Sequence, residues 1–152
     1  MESNTGNLLL DKWNKIVDTF CLAIKENPRL IGGFTDTSRD EVFNYLSFYF
    51  LHGGLFVVED NNEIVGLLTV HPQKSDLDWT WKEHNGDCTI HAMWAKNSQA
   101  VEDLIFHWLL KFKPVTAYAC RDGKITELQP EKIERVIRYG KRKHNNTSTS
   151  AA

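Results

Sequence analysis

Apolar residues near the start of the chain follow the spacing of an amphipathic helix. Between residues 8 and 26 they recur every three or four positions, which predicts a helix with one buried face. The residues of that face are Leu9, Trp13, Ile16, Val17, Phe20 and Ile24. Asn27-Pro28 is expected to end the helix, because the residue before a proline avoids the helical region.

A second helix is predicted to begin near Ser38. Ser38 and Glu41 have the spacing of a capping box, in which each side chain satisfies a free backbone N–H. The apolar stripe of this helix consists of Val42, Leu46, Tyr49 and Phe50. Gly53-Gly54 supplies the left-handed residue on which helices often stop.

Three short strands follow. Segments 55–59 and 64–70 are nearly continuous in apolar residues and flank the turn 60–63, so they predict a hairpin that is covered on both faces. Segment 88–95 predicts a third strand. Strict alternation along it places Cys88, Ile90, Ala92 and Trp94 on one face and Thr89, His91, Met93 and Ala95 on the other.

The rest of the chain predicts a helix over 98–112, a fourth strand over 115–120 and a final helix over 130–140. Residues 125–128 either extend the fourth strand or pair with it. The order of elements predicts one α/β (α+β) domain over residues 1–143, with a mixed, mostly antiparallel sheet flanked by helices. Residues 144–152 form a polar tail that is expected to be disordered.

Composition is that of an ordinary globular protein. The chain has 152 residues, 41% of them hydrophobic, and a net charge of -2, which excludes a largely disordered chain and any global basicity. Three widely spaced cysteines argue against a disulfide framework and favour a reducing, intracellular compartment. The sequence has no signal-peptide pattern and no apolar run that would span a membrane. We therefore expect a soluble protein without a membrane partner.

The hairpin LFVVEDNNEIVGLLTVHPQ at residues 55–73, with Gly66 in its second arm, resembles that of the GNAT superfamily of N-acetyltransferases. The predicted order of elements is also similar to that of the family, although its final hairpin has no counterpart here and its first strand has none unless residues 8–10 supply a fragment. The resemblance implies a GNAT-like fold and acyl transfer from acetyl-CoA. It equally suits small phage members without demonstrated activity, which implies a location in the host cytoplasm or the virion.

In that family a glycine-containing loop after the third strand binds the pyrophosphate of acetyl-CoA through backbone N–H groups. The corresponding residues here are Lys96, Asn97, Ser98, Gln99 and Ala100, without a glycine. Glu102 and Asp103 follow in the first helical turn, where carboxylates suit the helix dipole but repel a diphosphate. The loop therefore either holds one anionic group or only caps the helix through Asn97 or Ser98.

The resemblance also implies a general base on a central strand and a tyrosine proton donor on the last helix. The nearest residues are Glu59, His91 and Tyr139. Each also has a simpler interpretation, as a solvated carboxylate, a packed histidine and a packed tyrosine. Acetyl-CoA is the expected cofactor only if the chain is an enzyme.

Metal and thiol chemistry have less support. His84, Cys88 and His91 would share one face of a helix, but a loop followed by a strand scatters them, so no metal site is predicted. Cys120 follows an apolar strand and is predicted to be a buried structural thiol.

Two segments indicate partners. Trp79 and Trp81 lie in the polar segment 73–87 and are either anchors for a protein partner or a flap over the edge of the core. Residues 131–143 contain six basic and two acidic residues, and this basic end either is a solvated face or contacts nucleic acid or an acidic protein surface. The principal candidates for such a contact are Arg138, Lys141, Arg142 and Lys143.

Three functions follow as expectations. The first is a non-catalytic, degenerate acetyltransferase-like domain that acts through a protein surface, such as a virion or assembly component of a phage. The second is an acyl-CoA-dependent N-acetyltransferase with an atypical phosphate loop. The third is a nucleic-acid-associated factor that uses the basic last helix. The fold by itself does not choose among them.

Overall fold

The structure is a computed structural model that describes residues 2–27, 38–74, 86–121, 124–135 and 138. The elements in chain order are α1 (Glu2–Glu26), α2 (Arg39–Leu51), β1 (Leu55–Asp60), β2 (Glu63–His71), β3 (Asp87–Ala95), α3 (Ser98–Phe112), β4 (Thr116–Arg121) and β5 (Lys124–Glu127). The strands form one sheet in the order β1-β2-β3-β4-β5, with α1 and α2 on one face and α3 on the other. This arrangement confirms the predicted α+β class.

The sheet is mixed but mostly antiparallel, as predicted. β1 pairs antiparallel with β2, β2 with β3, and β4 with β5. β3 and β4 are parallel, because α3 connects them across one face of the sheet. Their pairing covers only residues 87–90 of β3 and 116–119 of β4. The second half of β3 therefore has no neighbour on that side among the described strands.

Local sequence signals account for the ends of α2. The Ser38 Oγ accepts a hydrogen bond from the Glu41 N–H, and the Glu41 carboxylate accepts one from the Ser38 N–H, which confirms the capping box. The helix ends at Leu51, and Gly53 beyond it has a φ of 77°. α1 begins at Glu2 instead of residue 8, because residues 2–7 are polar and add no apolar stripe that would reveal a helix.

Two apolar clusters lie on the two faces of the sheet. The cluster under α1 and α2 includes Phe20 and Leu67, and the cluster under α3 includes Leu68 and Leu104. Gly66 lets α3 approach the sheet, because a Cβ at this position would stand 2.9 Å from Leu104 Cδ1. β2 contributes to both clusters and is buried on both faces, whereas most of β1 is only half-buried.

A β-bulge in β3 overturns the predicted alternation. Thr69 of β2 is opposite Ala92, but the next residue, Val70, is opposite Ile90, so His91 is the extra residue. Beyond a bulge, each side chain points to the face opposite to the one that strict alternation would give it. The side chains that face α1 and α2 are those of His91, Ala92 and Trp94, and those that face α3 are Cys88, Ile90, Met93 and Ala95.

Two residues of the predicted stripes of α1 and α2 are exposed. The exposed fractions are 67% for Leu9 of α1 and 62% for Phe50 of α2. Both side chains lie near β1 at the edge of the sheet, where no further described strand covers them. Tyr45 takes the buried position in α2 instead.

The end of the chain is described in part. Residues 130–135 and Arg138 are helical, as predicted, and the remainder of the predicted helix and the tail 144–152 lie outside the described residues. β5 pairs with β4, which decides the alternative that the sequence left open for residues 125–128. Within the described ranges, no helix is long and apolar enough to cross a membrane.

Candidate functional site

One hydroxyl group and two imidazoles meet in the core between α2 and the sheet. Tyr49 comes from α2, His71 from the end of β2 and His91 from the bulge in β3. The Tyr49 hydroxyl oxygen is 2.7 Å from Nδ1 of His71 and 2.7 Å from Nδ1 of His91. The centroids of the two imidazole rings are 4.3 Å apart. We call these three residues the His–Tyr–His cluster.

The number of protons available restricts the tautomers of this cluster. A hydroxyl group has one proton, so Tyr49 donates to at most one of the two Nδ1 atoms. The other Nδ1 must carry its own proton and donate it to the hydroxyl oxygen. At least one of His71 and His91 is therefore protonated on Nδ1, and the shared hydroxyl orients both rings.

The cluster is closed to solvent. Tyr49 and His71 are fully buried, and His91 is 4% exposed. Beside them the Tyr45 hydroxyl oxygen is 2.9 Å from Thr69 Oγ1, and burial raises the pKa of Tyr45. This is the environment of a packed, hydrogen-bonded histidine, and a role for His91 as general base stays a prediction.

The sequence analysis singled out His91 but not His71. The signal for it was a pair of polar residues, Thr69 and His71, at alternate positions of an otherwise apolar strand. Polar side chains on a buried strand face must find partners in the core. Tyr45 and Tyr49, one helical turn apart in α2, supply those partners.

The N-terminus of α3 is capped by its own chain. Asn97 is the N-cap residue, and its Oδ1 accepts a hydrogen bond of 2.9 Å from the Ala100 N–H. Ala100 is buried, while Ser98 and Gln99 are exposed. Helix capping, the simpler of the two interpretations of this loop, is therefore present at Asn97.

Carboxylates surround the space beside this terminus. A cavity of about 200 Å³ is lined by Asn97 and Gln99 and by three acids, which are Glu59, Asp60 and Asp103. Lys96 is turned to another acid: its Nζ is 2.8 Å from Glu63 Oε1, and this contact raises the pKa of Lys96. The local charge suits a helix N-terminus but disfavours a phosphate group.

The candidate catalytic residues are not brought together. Glu59 lies near the end of β1, where its Oε1 is 2.7 Å from Nζ of Lys12 on α1. His91 lies on β3, which β2 separates from β1. Glu59 is opposite Ile64 at the start of β2, whereas His91 lies beside Val70 near its end, so the two residues are separated along the strands as well as across them. Tyr139 lies outside the described residues.

The cysteines do not extend the site. Cys88 belongs to the cluster under α3 while His91 faces α2, so their side chains lie on opposite faces of β3. His84 lies outside the described residues, among which no group of three metal-ligating side chains occurs. Burial raises the pKa of Cys88 to about 11, which keeps it a protonated, unreactive thiol. Cys120 is half-buried instead of buried as predicted.

Most residues predicted to meet partners lie outside the described residues: Trp79, Trp81, Lys141, Arg142 and Lys143. Arg138 is exposed, and its Nη2 is 3.6 Å from Glu134 Oε2, one helical turn away. Contact of this basic end with nucleic acid stays a prediction.

An apolar groove lies where α1 and α2 meet the edge strand β1, and its volume is about 650 Å³. Its largest side chain is Trp13, whose ring centroid is 5.3 Å from that of Phe50. We call the surface the α1–α2–β1 groove and define it by Leu9, Trp13, Phe50, Leu51, Leu55 and Val57. The sequence analysis missed it because helical spacing assigned Leu9 and Phe50 to the core.

Comparisons of this chain with protein-family models, with curated proteins and with solved structures find no match. The resemblance to acetyltransferases therefore rests on the hairpin sequence and the order of the elements.

Proposed function

We propose that this chain is a non-catalytic binding protein with an acetyltransferase-like fold, and that it acts through a protein surface. The observation that carries the proposal is the state of the α3 N-terminus, where a family member would bind the pyrophosphate of acetyl-CoA. Asn97 already occupies the hydrogen-bonding position there, and carboxylates line the space beside it. A component of an assembly, such as a phage virion, is the role that this proposal favours.

A diphosphate needs free backbone N–H groups and a positive local potential. At this terminus the Ala100 N–H already donates to Asn97, and Lys96 is paired with Glu63. A ligand would have to displace the cap, which contributes about 1 kcal/mol in other helices, and approach the lining carboxylates. Both effects oppose binding of acetyl-CoA.

The α1–α2–β1 groove supports the second half of the proposal. Large apolar side chains that are grouped at a surface mark sites where other molecules bind. Leu9, Phe50 and Leu51 are each more than half exposed around this groove. An extended protein segment is the occupant that suits an apolar groove beside an edge strand.

Acyl transfer is the second candidate, and one observation favours it. The parallel strands β3 and β4 stop pairing after Ile90 and Ala119, and ligands of open α/β sheets bind at the carboxyl ends of parallel strands. The buried His91 lies next to this point and is held by Tyr49. It has almost no surface from which to accept a proton from an acyl acceptor.

Titration of acetyl-CoA into the purified chain separates the two candidates. We expect no saturable heat of binding and no rise in Tm at about 1 mM ligand, since a ligand that binds only the folded state must raise Tm. An active N-acetyltransferase in the same buffer serves as the control for detection. Saturable binding at micromolar concentration would contradict the proposal and favour acyl transfer.

A further inference from the structure

We infer that the α1–α2–β1 groove and the outer edge of β1 bind a second copy of this chain, through antiparallel pairing of the two β1 strands. This inference rests on the proposed function and names the partner of the same surface. β1 is the first strand of the sheet, and β2 is its one neighbour among the described strands.

The backbone of β1 offers hydrogen bonds at this edge. The Val70 N–H donates to the Gly54 carbonyl across the pair of β1 and β2. Hydrogen-bonded and non-bonded pairs alternate along an antiparallel ladder, so Phe56 and Val58 are the next residues bonded to β2. The N–H and C=O groups of Leu55 and Val57 therefore point away from β2.

The same two residues line the groove with their side chains. A strand added at this edge would thus gain backbone hydrogen bonds and apolar contacts together. Natural proteins protect exposed edge strands with lysine or proline, and residues 55–58 contain neither. This edge therefore has the properties of one that is covered by another strand.

β1 itself is a suitable occupant. In a symmetric antiparallel pair with Val57 opposite its own copy, Phe56 lies opposite Val58 and Leu55 opposite Glu59. No acid then faces an acid, and apolar residues pair at the centre. The next symmetric register toward the end of the strand would place Val57 opposite Glu59 and bring a carboxylate into the apolar centre.

The pairing would join two five-stranded sheets into one sheet of ten strands. Its two-fold axis is perpendicular to the sheet, so the two grooves lie on the same face and their floors are continuous. The exposed side chains of Leu9, Phe50 and Leu51 would then border one shared apolar surface. Two copies thus give each groove an extended apolar segment that the described residues of its own chain do not supply.

Sedimentation velocity of the full chain between about 1 and 100 μM measures its mass in solution. We expect the wild-type chain to form a dimer. Val57→Pro should raise the Kd of this dimer at least about tenfold. Proline removes the outward N–H and leaves the hydrogen bonds to β2 intact, as edge strands tolerate. Val57→Thr retains the N–H and the branched shape, so it should still form the dimer. A wild-type chain that is monomeric over the whole range would overturn the inference.

Cross-linking tests the register and does not depend on the proline variant. In a Cys21→Ser/Cys120→Ser background, the thiol introduced by Val57→Cys lies opposite its copy and should be joined by a short bis-maleimide. The thiol introduced by Leu110→Cys is exposed on α3, on the opposite face of the sheet from the groove, and it should not be joined. Equal cross-linking of the two variants overturns the inference.

The outcomes distinguish this inference from the proposed function. A monomer that does not bind acetyl-CoA contradicts the second copy as partner and leaves a binding function with another protein. A dimer that binds acetyl-CoA supports the inference and contradicts the proposed function.

Discussion

The smallest unit that connects several elements is the Tyr49 hydroxyl group. Its oxygen atom contacts His71 of β2 and His91 of β3, while its ring belongs to α2. Burial of a polar group is unfavourable unless the group is hydrogen-bonded. The hydroxyl therefore allows the core to hold two imidazoles and fixes the position of α2 on the sheet.

Tyr49→Phe tests this role. The substitution leaves the ring in place and removes a hydrogen-bond partner from both imidazoles. We expect the free energy of unfolding to fall by about 1–3 kcal/mol, the usual effect of removing a hydrogen-bond partner from buried polar groups. Urea unfolding, followed by circular dichroism, measures the change.

Tyr118→Phe is the matched control for that measurement. Tyr118 is half-buried on β4, and its ring lies 5.1 Å from Nζ of Lys74. The phenylalanine ring preserves this contact with the cation, so we expect a much smaller loss of stability. A loss as large as that of Tyr49→Phe would show that the cluster has no special role.

Residue roles that arise from neighbours in sequence could be predicted. The capping box of Ser38 and Glu41 and the cap at Asn97 are such cases. The orientation of the residues after His91 could not be predicted, because a bulge is decided by pairing with β2 and not by the sequence of β3 alone. The His–Tyr–His cluster depends on that bulge, so it escaped prediction as well.

Among the elements, α3 combines a capped N-terminus with a closely packed face. Asn97→Ala removes the side chain that accepts from the Ala100 N–H. We expect a loss of about 1 kcal/mol in the free energy of unfolding, because an N-cap satisfies a backbone donor that is otherwise free. Urea unfolding of the variant measures it.

Ser98→Ala provides the comparison for Asn97→Ala. Ser98 is the first residue of α3, is exposed and does not occupy the N-cap position. Its replacement should change stability by a few tenths of a kcal/mol at most, since alanine is a good helix former. Equal effects of the two substitutions would mean that the cap contributes no stability.

The type and order of the elements were predictable because their apolar periodicity is strong. The limits of the elements and the exposure of their residues were less predictable. The start of α1 has no apolar stripe to mark it, and Leu9 keeps helical spacing although it is 67% exposed. Spacing defines a face of a helix, but the position of the sheet edge decides how much of that face is covered.

For the molecule as a whole, one sheet separates two cores that must fold together. Tyr45 lies in the core under α1 and α2, and Cys88 lies in the core under α3. Burial raises the pKa of both groups, to about 11 for Cys88. Each core therefore holds a group that resists losing its proton.

We expect stability to fall at alkaline pH. The unfolded chain loses the thiol proton near its ordinary pKa of 9.0, whereas the folded chain retains it to about 11. The unfolded state thus binds fewer protons in this interval, and the free energy of unfolding decreases as pH rises through it. Urea unfolding at several pH values between about 8 and 11 measures the decrease.

Cys88→Ala separates the thiol from other groups that titrate in this range. The variant has lower stability at neutral pH because it loses a buried side chain, but its stability should decline less steeply above about pH 9. Curves that run parallel for the variant and the wild type would contradict the assignment of the decrease to Cys88.

The extra residue in β3 also affects how the chain can change in length. Removing one residue from a strand normally reverses every later side chain. Here Ile90 and Ala92 already lie on opposite faces, so the loss of His91 would join two residues whose orientations alternate correctly. A homologous chain one residue shorter at this point would keep both cores in register and give up only the second imidazole.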